Sequence, residues 1–119
     1  MTSLPAQDGF EQIDDEVCRG FQRHLEVVGR RWNSAILLAG ARGATRFTEY
    51  RAMIAGISDR LLTQRLTELQ AEGLVERTVL PTTPVLVQYR LTPMGRDLMR
   101  LLQPLVAFDR QHRLHSVSD

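Results

Sequence analysis

Residues 56–77 of this chain read GISDRLLTQRLTELQAEGLVER, and this stretch decides the fold. Ser58 is a favourable N-cap, and Asp59 complements the dipole of the helix that follows it. Gly73 stands where a glycine commonly ends a helix. Between them an apolar stripe repeats at helical spacing, consisting of Leu62, Leu66 and Leu69. The stretch therefore predicts a helix of about 14 residues, roughly 21 Å long, that buries one face.

Segments on both sides of this helix complete a domain pattern. Apolar residues at helical spacing predict three preceding helices, within residues 17–28, 32–39 and 46–54. Two β-branched runs around Pro81-Thr82-Thr83-Pro84 predict a hairpin, and Thr92-Pro93 opens a long last helix, which Pro104 should kink. This order of elements predicts a winged helix-turn-helix, a fold that is mainly α with a small β-hairpin (α+β).

Charge is distributed unevenly along the chain. Residues 1–16 carry five acids and no base, whereas residues 21–113 carry 14 arginines and eight acids. A basic domain suits a polyanionic partner, although solvated surface arginines give the same charge. We expect a flexible acidic tail over 1–16, a winged helix-turn-helix domain with terminal dimerisation helices over 17–113, and a flexible tail over 114–119.

The chain is expected to be cytoplasmic and to have no membrane partner. Its N-terminus has no basic segment followed by an apolar one, as a secretion signal has, and no apolar run approaches the about 20 residues that cross a bilayer. Cys18 is the only cysteine, which excludes a disulfide within the chain. No metal-ligand spacing and no catalytic constellation is present, so we expect no metal, no cofactor and no enzymatic activity.

The polar face of the helix within 56–77 carries the predicted base-reading residues. Removing the leucine stripe leaves side chains at positions i, i+3, i+4 and i+7 on one side. Arginine can fork onto guanine, glutamine can pair with adenine, and a threonine methyl group can contact thymine. We assign base reading to this face and to the N-cap, that is, to Ser58, Arg60, Thr63, Gln64 and Thr67.

Five arginines near the motif are the predicted phosphate contacts, namely Arg46, Arg51, Arg65, Arg77 and Arg90. Arg46 and Arg51 belong to the third helix and its start, and the last two lie in the hairpin strands. Arg65 is three residues from Glu68, a spacing that favours an ion pair within the helix. The alternative for each of the five is a solvated surface arginine.

The last helix carries more apolar surface than one small domain can cover. Its apolar residues step alternately by four and three, as in a heptad seam. The first helix has a similar stripe. We therefore expect a homodimer in which the two helices meet a second copy, through Phe21, Leu25, Leu98, Leu101, Leu105 and Phe108.

Four segments carry a family resemblance: GRRW at 29–32, RFTEY at 46–50, the stretch at 56–77, and YRLTPMG at 89–95. Together they resemble the HxlR-type winged helix regulators, which are relatives of the MarR group. The resemblance implies dimers built from the first and last helices, and double-stranded DNA operators with two-fold symmetry. Several members of that family also have a thiol near the N-terminus that responds to electrophiles or oxidants, and the resemblance implies the same role as a possibility for Cys18.

Two features depart from the family pattern. The wing tip, PTTPVLV at 81–87, has no charge, whereas family members often have a basic residue there, so we expect the wing to contribute little to DNA binding. Cys18 is followed by Arg19 and not by the common proline. A first-turn position and Arg19 favour the thiolate of this redox candidate, while the acids at 14–16 oppose it. Since Cys18 shares the apolar face of the first helix, an inert thiol at the dimer interface is the alternative.

These observations predict a homodimeric transcriptional regulator, with repression as the expected mode. Its two recognition helices should enter successive major grooves about 34 Å apart on a near-palindromic operator. One rival is a winged-helix module that docks another protein without specific DNA binding, which the near-neutral wing favours. Another is a regulator whose small-molecule effector binds near Trp32, Phe21 and Phe108.

Overall fold

A computed structural model describes residues 14–113. Residues 1–13 and 114–119 lie outside the described part, and with them most of the predicted N-terminal tail and the whole C-terminal one. The chain divides into two compact units, Met1–Ser34 and Ala35–Asp119, and each is described by itself.

The first unit contains helix α1, Asp15–Gly29. It begins two residues before the predicted start, because Asp14 is the N-cap and its Oδ1 accepts from the backbone N–H of Val17 at 2.9 Å. Asp15 adds negative charge in the first turn, where the helix dipole favours it. Trp32 has a φ of 79°, so it lies outside the second helix and not within it as predicted, since a left-handed residue cannot continue a right-handed helix.

Helix α2, Asn33–Ala41, begins in the first unit and continues into the second. The second unit then contains α3 (Phe47–Met53), α4 (Asp59–Ala71), β1 (Val75–Leu80), β2 (Leu86–Leu91) and α5 (Pro93–Gln111). This is the predicted order, and α5 remains helical through Pro104. None of the helices in residues 14–113 is both long enough and apolar enough to cross a membrane.

The core of the second unit forms around the leucine stripe of α4. Leu62, Leu66 and Leu69 are almost fully buried, as their spacing predicts. Further large buried side chains come from α2, α3, the turn after α3 and the base of the hairpin, and they include Ile36, Leu37, Tyr50, Leu74 and Leu91. Burial of each leucine stabilises the fold by about 1.5–3 kcal/mol, so the stripe fixes which face of α4 points outward.

The hairpin is a regular antiparallel pair with Val75 opposite Leu91 and Leu80 opposite Leu86. Arg77 lies opposite Tyr89, whereas Arg90 lies opposite Glu76. Because successive residues of a strand point to opposite faces, Arg77 and Arg90 project from opposite sides of the hairpin.

Tyr50 ties α3 to β2. Its hydroxyl donates to the backbone carbonyl of Tyr89 at 2.8 Å, and the side chain is fully buried. Burial raises the pKa of Tyr50 from 10.0 to about 12. The folded state thus favours the neutral phenol, so this stabilisation is complete below pH 10.0 and is lost as the pH rises toward about 12.

We expect Tyr50→Phe to lower the free energy of unfolding by about 1 kcal/mol at neutral pH, since the Tyr89 carbonyl loses its partner. It should also remove most of the fall in stability above pH 10.0, which for the parent amounts to roughly 2–3 kcal/mol. Urea unfolding across this pH range measures both effects. The chain has no lysine, so few other groups titrate there, and Tyr89→Phe is the matched control that should keep the parent's dependence. A parent whose stability is flat in this range would contradict the assignment.

Candidate nucleic-acid interface

The exposed face of α4 is polar and continuous. Arg60, Thr63, Gln64 and Thr67 are all exposed, whereas the leucines on the opposite face are buried. The helix has 13 residues, which corresponds to a length of about 20 Å. A helix of this kind fits the major groove of B-DNA, which is about 12 Å wide.

The hydrogen bonds of this face separate its side chains into two kinds. The hydroxyls of Thr63 and Thr67 donate to the carbonyls of Asp59 and Thr63, both at 2.9 Å, so their methyl groups are what they can offer to a thymine. Arg60 and Gln64 make no side-chain hydrogen bond with any residue in 14–113. Their donors are therefore available to base edges.

Ser58 is the N-cap of α4. Its Oγ accepts from the backbone N–H of Leu61 at 3.1 Å, and the residue is exposed. The capping bond occupies an oxygen lone pair and leaves the hydroxyl proton available. Ser58 can thus donate outward while it caps the helix.

Arg51 forms an ion pair that the sequence did not indicate. Its Nη1 lies 3.0 Å from both carboxylate oxygens of Asp59, which joins α3 to the first turn of α4. The two side chains are 49% and 61% exposed. An exposed pair of this kind stabilises a protein by about 1 kcal/mol or less, so an incoming phosphate can take the place of Asp59.

The start of α3 already holds an anion of its own. The Oε1 of Glu49 accepts from the backbone N–H groups of Thr45 and Arg46 at 3.0 and 2.8 Å, and from the Thr45 hydroxyl at 3.1 Å. Hydrogen bonds from the backbone of Arg46 and Thr45 lower the pKa of Glu49 below its usual value. Because the carboxylate occupies these N–H groups, what Arg46 can offer to a phosphate is its exposed side chain.

The remaining arginines are less favourably placed. Arg65 is 12% exposed, and its Nη1 lies 2.9 Å from Glu68, the ion pair that the spacing indicated. Arg90 donates to Gln88 at the base of the hairpin and faces away from Arg77. The structure therefore groups Ser58, Arg60, Thr63, Gln64 and Thr67 on α4 with Arg51 beside them, and it does not bring Arg77 and Arg90 to one surface. Across residues 14–113 no three His, Cys, Asp or Glu side chains could hold a metal ion.

Residues 27–116 match the family model described as HxlR-like helix-turn-helix. The chain belongs to this family. Among its HxlR-like relatives, YvaP of Bacillus subtilis, an uncharacterised HTH-type transcriptional regulator, is 38% identical over 73% of this chain and 81% of its own. YodB of the same species, an HTH-type transcriptional regulator, is 38% identical over 83% of this chain and 88% of its own.

Solved structures of the family agree with the fold. The reduced form of YodB matches with a TM-score of 0.70 at 34% identity, covering 88% of this chain and 99% of that one. The redox regulator HypR in its reduced form matches with a TM-score of 0.73 at 32% identity, covering 79% and 93% of the two chains. This HxlR-like chain is therefore a winged helix-turn-helix protein of a transcriptional regulator family, and DNA binding is favoured over a module that only docks proteins.

We expect Arg51→Ala to weaken binding to operator and random DNA alike and to reduce the slope of log K against log salt by about one unit, as loss of one phosphate contact does. Asp59→Asn is the matched variant, because it releases Arg51 and removes a negative charge from the same surface. It should tighten binding to both DNAs. Fluorescence anisotropy at several salt concentrations measures the slope, and an unchanged slope in Arg51→Ala would remove this residue from the phosphate contacts.

Proposed function

We propose that this chain is a homodimeric repressor that reads a near-palindromic operator through α4. The observation that carries the proposal is the exposed face of α4, where Arg60 and Gln64 have unoccupied donors above a buried leucine stripe. Arg51 supplies a phosphate contact beside that face, Arg46 supplies another at the start of α3, and the uncharged wing tip supplies little. Arg65, Arg77 and Arg90 stand as weaker phosphate candidates.

The dimer is proposed from exposed apolar side chains in each unit. In α1, Phe21 is 63% exposed and Leu25 is also exposed. In α5, Leu101 is 77% exposed, and Leu105 and Phe108 are more than half exposed, while Leu98 is half-buried. Exposed apolar residues repeated along two helices are typical of a protein interface. The second copy would cover both sets.

Selection of bound sequences from random double-stranded DNA tests the operator proposal. A homodimer should select two inverted half-sites whose centres are about 10 base pairs, or a multiple of that distance, apart. Sedimentation of the same protein measures the dimer separately. Selection of no sequence, or of a single half-site, would contradict the proposal.

Cys18 is the proposed sensor of oxidants. It is half-buried in the first turn of α1, the helix that carries the exposed Phe21 and Leu25. YodB has been solved in a reduced and a diamide-treated form, and HypR in a reduced and an oxidised form. Since the chain has one cysteine, oxidation by diamide would join the thiols of two copies in one disulfide, while diamide takes up the two electrons and two protons that are released.

We expect diamide to weaken operator binding by the parent at least about tenfold, equivalent to about 1.4 kcal/mol, and Cys18→Ser to keep its affinity. A disulfide would change the contacts of a dimer interface that sets the distance between the two recognition helices. Gel shifts on the selected operator measure release, and non-reducing electrophoresis measures the linked dimer. If Cys18→Ser releases DNA as the parent does, the thiol switch is excluded.

A further inference from the structure

The second unit contains a groove. Of the site residues predicted from the sequence, only Arg90 lines it. It has a volume of about 850 Å³ and lies between the end of α2 with its following loop, the base of the hairpin, and α5. All of its lining residues fall within 38–110, so Trp32 and Phe21, near which the sequence placed an effector, take no part in it. Phe108 is not among the lining residues either.

The rim of the groove is basic. No acidic residue lines it, and five arginines do. They are Arg42, Arg90, Arg96, Arg100 and Arg110. Arg100 pairs with Asp97, and Arg90 donates to Gln88. The side chains of Arg42, Arg96 and Arg110 have no hydrogen bond or ion pair with any other residue of the described range. These guanidinium groups are thus available to a ligand, although Arg96 and Arg110 are separated by about 21 Å along α5.

The floor of the groove is apolar. Leu38, which is 41% exposed, contributes from α2, and Met99, Leu102 and Val106 contribute from α5. A bare phosphate or a DNA backbone would leave this apolar surface uncovered. Arginine binds a carboxylate with two parallel hydrogen bonds, and pockets for small organic ligands measure about 300–1,000 Å³ and are mostly apolar with a few polar groups.

We propose that this groove binds a small organic anion, a carboxylate carried on an apolar body. The body lies on Leu38, Met99 and Leu102, and the carboxylate meets Arg42 and Arg96. A bound ligand joins the end of α2 to α5, the helix proposed for dimerisation, and is therefore placed to act as an effector. Binding itself does not rest on the proposed function, since it is measured without DNA.

Isothermal titration calorimetry with 2-naphthoate tests the proposal, with neutral 2-naphthamide and inorganic phosphate as comparison ligands. We expect 2-naphthoate to bind at least about tenfold more tightly than either one. In Arg42→Gln/Arg96→Gln its affinity should fall at least about tenfold. The matched control is Arg19→Gln/Arg23→Gln, which removes the same charge from exposed positions on α1 and should bind as the parent does. Circular dichroism confirms that both variants fold.

Several outcomes would overturn the proposal. Equal affinity for 2-naphthoate and 2-naphthamide would show that the arginines do not recognise the carboxylate, and equal affinity for phosphate would show that the floor plays no part. Equal losses in both double variants would show a general charge effect. If the parent binds no 2-naphthoate, the groove is not a site for such an anion, and sedimentation of Leu38→Glu as a monomer would show that a second copy covers it instead.

Discussion

Replacing Gly95 by alanine is expected to lower the free energy of unfolding by about 2–3 kcal/mol, the upper part of the range for overpacked sites. Gly95 is the buried glycine in the first turn of α5. A Cβ placed there would lie 2.2 Å from the carbonyl oxygen of Leu74 and 3.2 Å from its carbonyl carbon. These are backbone atoms, so a side chain cannot swing away to relieve the overlap.

The neighbouring hydrogen bonds make a local shift costly. The Leu74 carbonyl accepts from the backbone N–H of Thr92 at 3.0 Å. The Thr92 hydroxyl donates to the carbonyl of Gly73 and accepts from the N–H of Gly95 at 3.0 Å. Moving α5 away from Leu74 would disrupt this junction between α4, the hairpin and α5. The higher helix propensity of alanine, about 1 kcal/mol, offsets only part of the loss.

Chemical denaturation measures the Gly95→Ala effect, and Gly20→Ala is its matched control. Gly20 lies inside α1, and a Cβ there would have no atom within 4 Å. We expect Gly20→Ala to stabilise the protein by up to about 1 kcal/mol through helix propensity alone. If Gly95→Ala is as stable as the parent, α5 can move relative to Leu74, and the close approach is not what requires a glycine.

Replacing Arg60 by alanine is expected to weaken operator binding by about 1–3 kcal/mol, a factor of roughly 5 to 150. Arg60 is exposed in the first turn of α4 and forms no side-chain hydrogen bond or ion pair within the described residues. Its removal breaks no contact within the described residues, so the loss is expected to fall on the complex. One base position of the selected site should also relax, since a two-donor contact to guanine discriminates by a similar amount.

Binding to operator and to random DNA separates the roles of the exposed arginines. Arg60→Ala should lose affinity mainly on the operator, whereas Arg51→Ala should lose it on both. Arg23→Ala, an exposed arginine on α1, controls for the change in net charge. Equal losses on the two DNAs in Arg60→Ala would assign this residue to phosphate and not to a base.

The order of elements and the buried face of α4 could be predicted because both are local properties of the chain. In a helix that buries one face, apolar residues recur about every 3.6 residues. Leu62, Leu66 and Leu69 have this spacing and are buried. Ser58 and Thr92 act as N-caps, as predicted. The start of α1 was less well predicted, since either Asp14 or a later residue could cap it.

Contacts between distant residues were beyond the reach of sequence patterns. The Arg51 ion pair depends on the angle of the turn between α3 and α4, which no spacing rule gives. Strand alternation could have shown that Arg77 and Arg90 face opposite ways, but only with the register known. The arginine-rimmed groove combines residues of α2, β2 and α5. Its sequence signal is the set of arginines on α5 at 96, 100 and 110, but such a set is also typical of a solvated helix face.

The sequence by itself determined the winged helix-turn-helix order, the caps, and the polar residues that α4 turns outward, because each depends on neighbours within about four residues along a helix. The tertiary structure alone decided three other features. They are the close approach of Gly95 to the Leu74 carbonyl, the hydrogen bond from the buried Tyr50 hydroxyl to the Tyr89 carbonyl, and the five arginines that line one groove. The physical reason is that each of these depends on how separate elements pack, and packing joins atoms that the chain itself keeps far apart.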